Sequence, residues 1–222
     1  MKHSTGHTDI ILRVLHVGEM ASCCYILGTK GGEGIIVDAG DEADRIVKAV
    51  DDNRITPRFI VLTHGHADHI GALDDLRAAF PAAQCCIHED DAPMLDRPSL
   101  NLSLFLGRGF KRKLADRLLR HADTLEFTAS PHPGPIRLNV IHVPGHTPGG
   151  ICLHVPAAKI IFTGDVLFAG GIGRTDFPGG NTDLLLAGIR EKLITLPPDT
   201  TIYPGHGPSS TIAVERDGNP FL

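Results

Sequence analysis

The heptapeptide Thr63-His64-Gly65-His66-Ala67-Asp68-His69 packs three imidazoles and a carboxylate into one short stretch. Imidazole nitrogen and carboxylate oxygen together suit a divalent metal, with zinc first and iron or manganese sharing the same donors. Spacing divides the work. On an extended loop His64 and His66 point the same way, so one ion can take both at about 2.0–2.1 Å. Asp68 and His69, adjacent where a helix begins, are directed elsewhere. The motif therefore seeds two neighbouring metal positions, each short of ligands.

Three later loops carry what is missing. His146 stands in Val143-Pro144-Gly145-His146-Thr147-Pro148-Gly149, Asp165 ends Ile160-Ile161-Phe162-Thr163-Gly164-Asp165, and His206 lies in Tyr203-Pro204-Gly205-His206-Gly207-Pro208. Each follows a strand-like run, so all can meet at one edge of a sheet structure. His64, His66 and His146 would then hold one ion and Asp68, His69 and His206 a second, with Asp165 bridging them. Two ions about 3.5–4 Å apart bring the pKa of a shared water toward ~7, which makes a hydroxide nucleophile available without a separate base. Asp68 and Asp165, able to orient that nucleophile as well as bind metal, are the catalytic candidates. Asp38, at the end of a neighbouring strand, is expected to hydrogen-bond a ligand imidazole. Arg174, in a glycine-rich loop after Asp165, is placed either to meet a substrate carboxylate or to fix its own loop by a salt bridge.

The elements that position these residues follow from apolar periodicity. Strands are expected at 10–17, 22–28, 35–38, 58–62, 84–88, 124–127, 136–143, 150–155, 159–163 and 201–203. Ala43, Ile46, Val47 and Val50 mark one helix face, and Ile70, Leu73, Leu76 and Phe80 another directly after the histidine cluster. A short helix is expected at 89–95 and a longer one at 183–193, with Asn181 as its N-cap. The segment 98–121, with Leu100, Leu102, Leu104, Phe105 and Leu106 followed by Arg108-Gly109-Phe110-Lys111-Arg112-Lys113, reads as a helical flap with a cationic rim or as a solvated helix face. A meander opens each half, and strands and helices then alternate. That order implies an α+β, four-layer αββα sandwich, a single domain over 1–222 with no linker to divide it.

Composition narrows the partners. A net charge of -5 gives no electrostatic case for nucleic acid. No apolar run approaches the ~20 residues of a membrane span, and the polar N-terminus leads to the expectation of a cytoplasmic protein that is a monomer or small homo-oligomer acting on a small molecule. Cys23-Cys24 and Cys85-Cys86 are adjacent pairs in strands, where neighbours face opposite ways, so they are expected as buried free thiols. His88, His142 and His154 lie in or at the end of strands, and His3, His7, His16, His121 and His132 fall outside any ligand motif. All are expected to be structural or surface residues.

His64-x-His66-x-Asp68-His69 with the later His146, Asp165 and His206 resembles the metallo-β-lactamase fold superfamily. Gly171-x-Gly173-Arg174 and Tyr203-x-Gly205-His206 are similar to its glyoxalase II-like group, the hydroxyacylglutathione hydrolases, in their short single-domain form. The resemblance runs from about Leu12 to Leu222 and implies the αββα fold, a dinuclear site and hydrolysis of a thioester such as S-lactoylglutathione. Cys23 stands where many relatives have asparagine. Arg174-Thr175-Asp176-Phe177 and Asn219-Pro220 also resemble the persulfide dioxygenases, which use one iron at the positions matching His64, His146 and Asp165. Lactone or other ester hydrolysis, and a metal-holding protein without turnover, are further alternatives on the same ligand set. β-Lactamases of the superfamily would be expected to carry cysteine in place of Asp165.

Overall fold

Period-two alternation in the strands assigns each side chain to a layer. The computed structural model describes residues 10–128 and 134–222; His3, His7 and His132 lie outside the described residues. The chain opens with an antiparallel meander, β1 (Ile10–Val17), β2 (Ser22–Thr29) and β3 (Glu33–Val37). Helix α1 (Ala43–Asp52) crosses to β4 (Thr56–Val61), and α2 (Ala67–Ile70) with α3 (Leu73–Ala79) crosses to β5 (Gln84–His88). These strands pair parallel, and β6 (Arg117–Leu119) closes the edge of the first six-stranded sheet.

The second sheet repeats the plan with β7 (Thr124–Phe127), β8 (Ile136–His142), β9 (Ile151–Val155) and β10 (Ile160–Gly164) as an antiparallel meander. A small hairpin, β11 (Leu167–Phe168) with β12 (Gly171–Ile172), and helix α4 (Thr182–Gly188) lead to β13 (Thr201–Pro204), which lies parallel to β10. β14 (Ser210–Thr211) and α5 (Ile212–Gly218) follow.

Between the sheets Tyr25, Leu27, Phe59, Leu138 and Phe162 pack face to face. The first sheet's other face packs Ile26, Ile36 and Ile60 against Ile46, Leu73 and Leu76 of α1 and α3. The second sheet's outer face packs Ile161 and Ile202 against Leu185 and Ile189. These three apolar layers make the expected αββα sandwich. Cys23 and Cys86 face the inner core while Cys24 and Cys85 face the outer one, all as free buried thiols. Burial pushes the Cys85 thiol up to about 11 and the Cys86 thiol up to about 12, so neither offers a thiolate at neutral pH. The parallel pairings carry the ends of β3, β4, β5, β10 and β13 to one edge, and β8 runs the same way.

Local pattern and fold diverge at four places. The helix expected after the histidine cluster is broken into α2 and α3, because Ala72 N donates to Ala39 O at 2.8 Å and a Cβ on Gly71 would stand 2.2 Å from Gly40 O. The helix expected at 89–95 shrinks to a 3-10 turn, Ala92–Leu95. The amides of Glu89 and Asp90 are committed instead to Leu119 O and His88 Nδ1. Segment 98–116 is a chain of turns rather than a helical flap, with Leu102, Gly107 and Gly109 at positive φ and the Asn101 amide bonded to Met94 O and Phe110 O. The helix over 183–193 begins where expected, with Asn181 Oδ1 accepting from Leu184 N at 3.0 Å, but its second half, Ile189–Leu193, is a π-turn.

Candidate metal centre

The strand-end loops bring all seven sequence-selected residues together. His66 Nδ1 lies 3.0 Å from His146 Nε2, and donor atoms of His64, His66 and His146 all fall within 4.8 Å of one another. Beside them, Asp68 Oδ2 is 3.1 Å from His206 Nε2 and 3.4 Å from His69 Nε2. Asp165 reaches both groups, with Oδ1 3.5 Å from His69 Nε2 and Oδ2 3.6 Å from His146 Nε2 and 3.7 Å from His206 Nε2.

Hydrogen bonds on the far side of the rings assign the tautomers. His146 Nδ1 faces Arg174 O at 2.8 Å, His206 Nδ1 faces Met20 O at 3.2 Å and His69 Nδ1 faces Asp38 Oδ2 at 2.9 Å. Each acceptor demands an N–H at Nδ1, which makes the inner Nε2 the atom these rings would offer to a metal. Thr63 Oγ1 donates to Asp38 Oδ2 at 2.7 Å, so at 3.1 Å it accepts from His64 Nδ1, which leaves His64 Nε2 with a bare lone pair. Outer N–H groups held by carbonyls and carboxylates are the arrangement that prepares imidazoles for metal. Among the described residues, the buried side-chain atoms without a hydrogen-bond partner are Thr29 Oγ1 and two inner donors of this cluster, His64 Nε2 and Asp165 Oδ1. Leaving such atoms bare costs about 1–3 kcal/mol each, and a divalent cation would satisfy both.

The electrostatics divide the cluster. Burial, with His146 beside it, lowers the His66 imidazole to about 3, and burial drives His64 and His146 down too, so this trio is neutral and ready to ligate. Burial also disfavours charge on His69, but Asp68, Asp165 and Asp38 outweigh it and hold this ring up at about 10. His206 is raised against its own desolvation by Asp68 and Asp165. Burial works against the Asp68 carboxylate, yet His69, His206 and a 2.8 Å bond from Ser22 Oγ keep it well below the usual carboxylate range. Without a cation the second group is an ion cluster holding protons that a metal would displace.

Asp38 sits in the left-handed region at φ 59° and is 1% exposed, with Oδ1 accepting from Thr63 N at 2.7 Å. Arg174 lies at the rim, but its guanidinium is paired in two bonds of 2.7 Å with Asp176 and stacks 3.8 Å over Phe177. Its geometry is therefore that of the loop-fixing salt bridge, while its carbonyl orients His146. Over the cluster opens a cavity of about 250 Å³ walled by Met20, Leu102, Phe105, Leu106, Phe177 and Pro178. Two of the cations expected as its rim are engaged elsewhere: Arg112 Nε donates to Ile70 O at 2.9 Å and Arg108 reaches Glu19 at 3.3 Å.

Sequence reasoning missed Asp91. This buried carboxylate accepts from Gly65 N at 3.1 Å, Thr147 Oγ1 at 2.7 Å and Gly149 N at 2.6 Å, tying the loop of His64 and His66 to that of His146. The available signal was its place after a strand at the same sheet edge as Asp38.

Comparison with known proteins agrees with this construction. Residues 17–206 match the family profile described as Metallo-beta-lactamase superfamily. The probable metallo-hydrolase YqgX of Bacillus subtilis is 40% identical over 212 residues, spanning 95% of this chain and 96% of its own. The hydroxyacylglutathione hydrolase GloC of Haemophilus influenzae is 33% identical, spanning 95% and 97%. Among solved structures, the BLEG-1 B3 metallo-beta-lactamase superposes with a TM-score of 0.88 at 37% identity over 96% of this chain and 99% of that one. TTHA1623 in a di-iron-bound form gives 0.83 at 32% identity over 95% and 100%. The matched region runs from the end of β1 to His206 and encloses every ligand candidate; the chain belongs to the metallo-beta-lactamase superfamily, as a metallo-hydrolase.

Proposed function

We propose that the chain is a thioester hydrolase working through a pair of divalent metal ions, with a substrate such as S-lactoylglutathione. The observation that carries the reading is the convergence of two half-sites, His64, His66 and His146 against Asp68, His69 and His206, on the carboxylate of Asp165. Zinc fits these donors, and iron or manganese uses the same ones. The di-iron form of TTHA1623 supports a paired centre, and the relation to GloC supports a thioester.

When bound, the ions supply a nucleophilic water of pKa near ~7 and Lewis-acid polarisation of a carbonyl. The protein's own contribution is orientation. Asp68, fixed by Ser22 and His206, and Asp165, between the half-sites, would orient the attacking oxygen. Four imidazoles have their outer N–H bound to fixed acceptors, and with their inner nitrogens holding metal none of them would be free to protonate a leaving group. A substrate whose leaving group departs as a stable anion suits such a site, and a thiolate does so better than an amine. Asp38 orients two of those imidazoles, His69 directly and His64 through Thr63.

Metal content per chain, measured with turnover of S-lactoylglutathione, a lactone, a β-lactam and glutathione persulfide, tests the reading. Two ions and preferential thioester cleavage support it. One iron with oxygen uptake on the persulfide overturns it in favour of the dioxygenase chemistry, and lactone cleavage without thioester cleavage overturns the substrate.

A further inference from the structure

One buried carboxylate stands outside the ligand cluster and has no part in the chemistry above. Glu215, in the first turn of α5, is 1% exposed, and three donors converge on it. Its Oε2 accepts from Gly170 N at 2.8 Å and from Asn219 Nδ2 at 2.8 Å, and its Oε1 accepts from Ser210 Oγ. Asn219, 6% exposed, uses the same amide to reach Gly171 O at 3.1 Å. A carboxylate taken out of water is costly unless its oxygens are bonded. Here those bonds join the C-terminal segment to the tip of the hairpin β11–β12.

That hairpin is short, and its base carries the site. β11 and β12 contribute two residues each, and a two-stranded ribbon by itself is marginal in water. One arm leaves directly from Asp165, and the other leads into Gly173 and Arg174. Gly173 N donates to Val166 O at 3.2 Å, and a Cβ on Gly173 would stand 1.8 Å from Asp165 O, so the two ends are in close contact. Arg174 O is the acceptor that faces His146 Nδ1 at 2.8 Å. Val166 and Leu167 are buried in the outer core, which anchors the incoming arm. The outgoing arm is only half-buried, and the Asn219 amide grips it at Gly171 O.

We propose that Glu215 and Asn219 are positioning residues that clamp the tip of β11–β12, so that Asp165 and the Arg174 carbonyl at its base stay in register with the ligand imidazoles. The clamp rests on the paired-metal reading and is independent of the thioester. Without it the outgoing arm loses its polar anchor, and the Arg174 carbonyl no longer fixes the ring of His146. Removal of an outer partner of a ligand imidazole weakens metal binding about 10- to 100-fold. Asn219 of the Asn219-Pro220 pair thus acts on the centre through the hairpin.

The test measures Zn²⁺ affinity, by competition against a chromophoric chelator, in the parent protein and in Asn219→Ala, Glu215→Ala and Glu215→Gln, with circular dichroism to show that each folds. Asn219→Ala and Glu215→Ala should each bind zinc about tenfold or more weakly. The visible spectrum of their Co²⁺-loaded forms, which reports ligand geometry, should differ from that of the parent. Glu215→Gln should restore both readouts, because its carbonyl oxygen can accept from Gly170 and Asn219 while its NH2 turns to the Ser210 hydroxyl, which can accept. Ile46→Val, which loosens the outer core of the other sheet, should keep parental affinity and so separates positioning from stability. Parental affinity and spectrum in folded Asn219→Ala, no rescue by Glu215→Gln, or an equal loss in Ile46→Val overturns the clamp and leaves the paired-metal reading standing. A parent protein that holds no zinc overturns both.

Discussion

Asp38→Asn changes one atom, and its effect should appear in the metals. Both residues tolerate the left-handed backbone at φ 59°, so the substitution tests hydrogen bonding rather than strain. The Asn oxygen must remain against Thr63 N, because a backbone N–H cannot reverse, and the new amide NH2 then meets His69 Nδ1 and Thr63 Oγ1. His69 must accept at Nδ1 and move its proton to Nε2, the nitrogen that faces Asp68 and Asp165. Thr63 must turn its hydroxyl to accept from the amide, which aims its proton at His64 Nδ1 and shifts that ring's proton to Nε2 as well. Both half-sites lose a lone pair. Removal of an outer partner of a ligand imidazole costs about 10- to 100-fold in metal affinity, or about 1.4–2.7 kcal/mol. Competition against a chromophoric chelator measures it, with circular dichroism to show that the fold persists. Parental affinity for both ions in Asp38→Asn would refute the orienting role.

Asp165→Ala should release one ion on dialysis and abolish most turnover; undiminished activity would remove Asp165 from between the half-sites. In Gly205→Ala the added Cβ would stand 2.1 Å from Asp165 Oδ1 and 2.8 Å from His69 Cε1, so metal content should fall while far-UV circular dichroism stays parental, and full metal content would show that the loop yields freely. Asp91 has a pH signature. Burial, only partly offset by bonds from Thr147, Gly149 and Gly65, raises its pKa from 3.8 to about 6. An acid raised on folding contributes stability that is complete below the unfolded value and is lost as pH rises through about 6, amounting to about 3 kcal/mol. Asp91→Asn, neutral throughout, should lack that decline in urea unfolding of the metal-free protein between pH 4 and 7 (about two units around the transition); parallel profiles for variant and parent would show that Asp91 does not titrate there.

The ligand candidates were legible because each stands at a strand's end. Continuous apolar runs at 22–28, 35–38, 58–62 and 159–163 mark strands buried on both faces, and strands sharing one direction deliver Asp38, His64, Asp165 and His206 to a common edge. Contacts between loops were not legible. Asp91 bonds partners 26, 56 and 58 residues away, and no local pattern distinguishes it from a turn aspartate. The segment after Pro98 failed for the same reason: the Asn101 amide and the grip of Arg112 on Ile70 O set its path, and both are tertiary. His88 and His142 meet only because two sheets stack.

The same division separates chemistry from selectivity in this molecule. The donors that hold metal are set by strand ends and can be read from spacing, whereas the cavity walls come from loops that lean over them: Met20 after β1, Leu102 and Phe105 from the turns after Pro98, and Phe177 from the loop braced by Arg174 and Asp176. Phe105 is 72% exposed, so a substrate can cover apolar surface there that the fold leaves open. At roughly 25 cal/mol per Å² such contacts discriminate among acyl and thiol groups without touching the metal ligands. Changes at Phe105 should therefore alter KM between substrates while the metal content stays constant, and a loss of metal in Phe105→Ser would show that the wall and the centre are not separable.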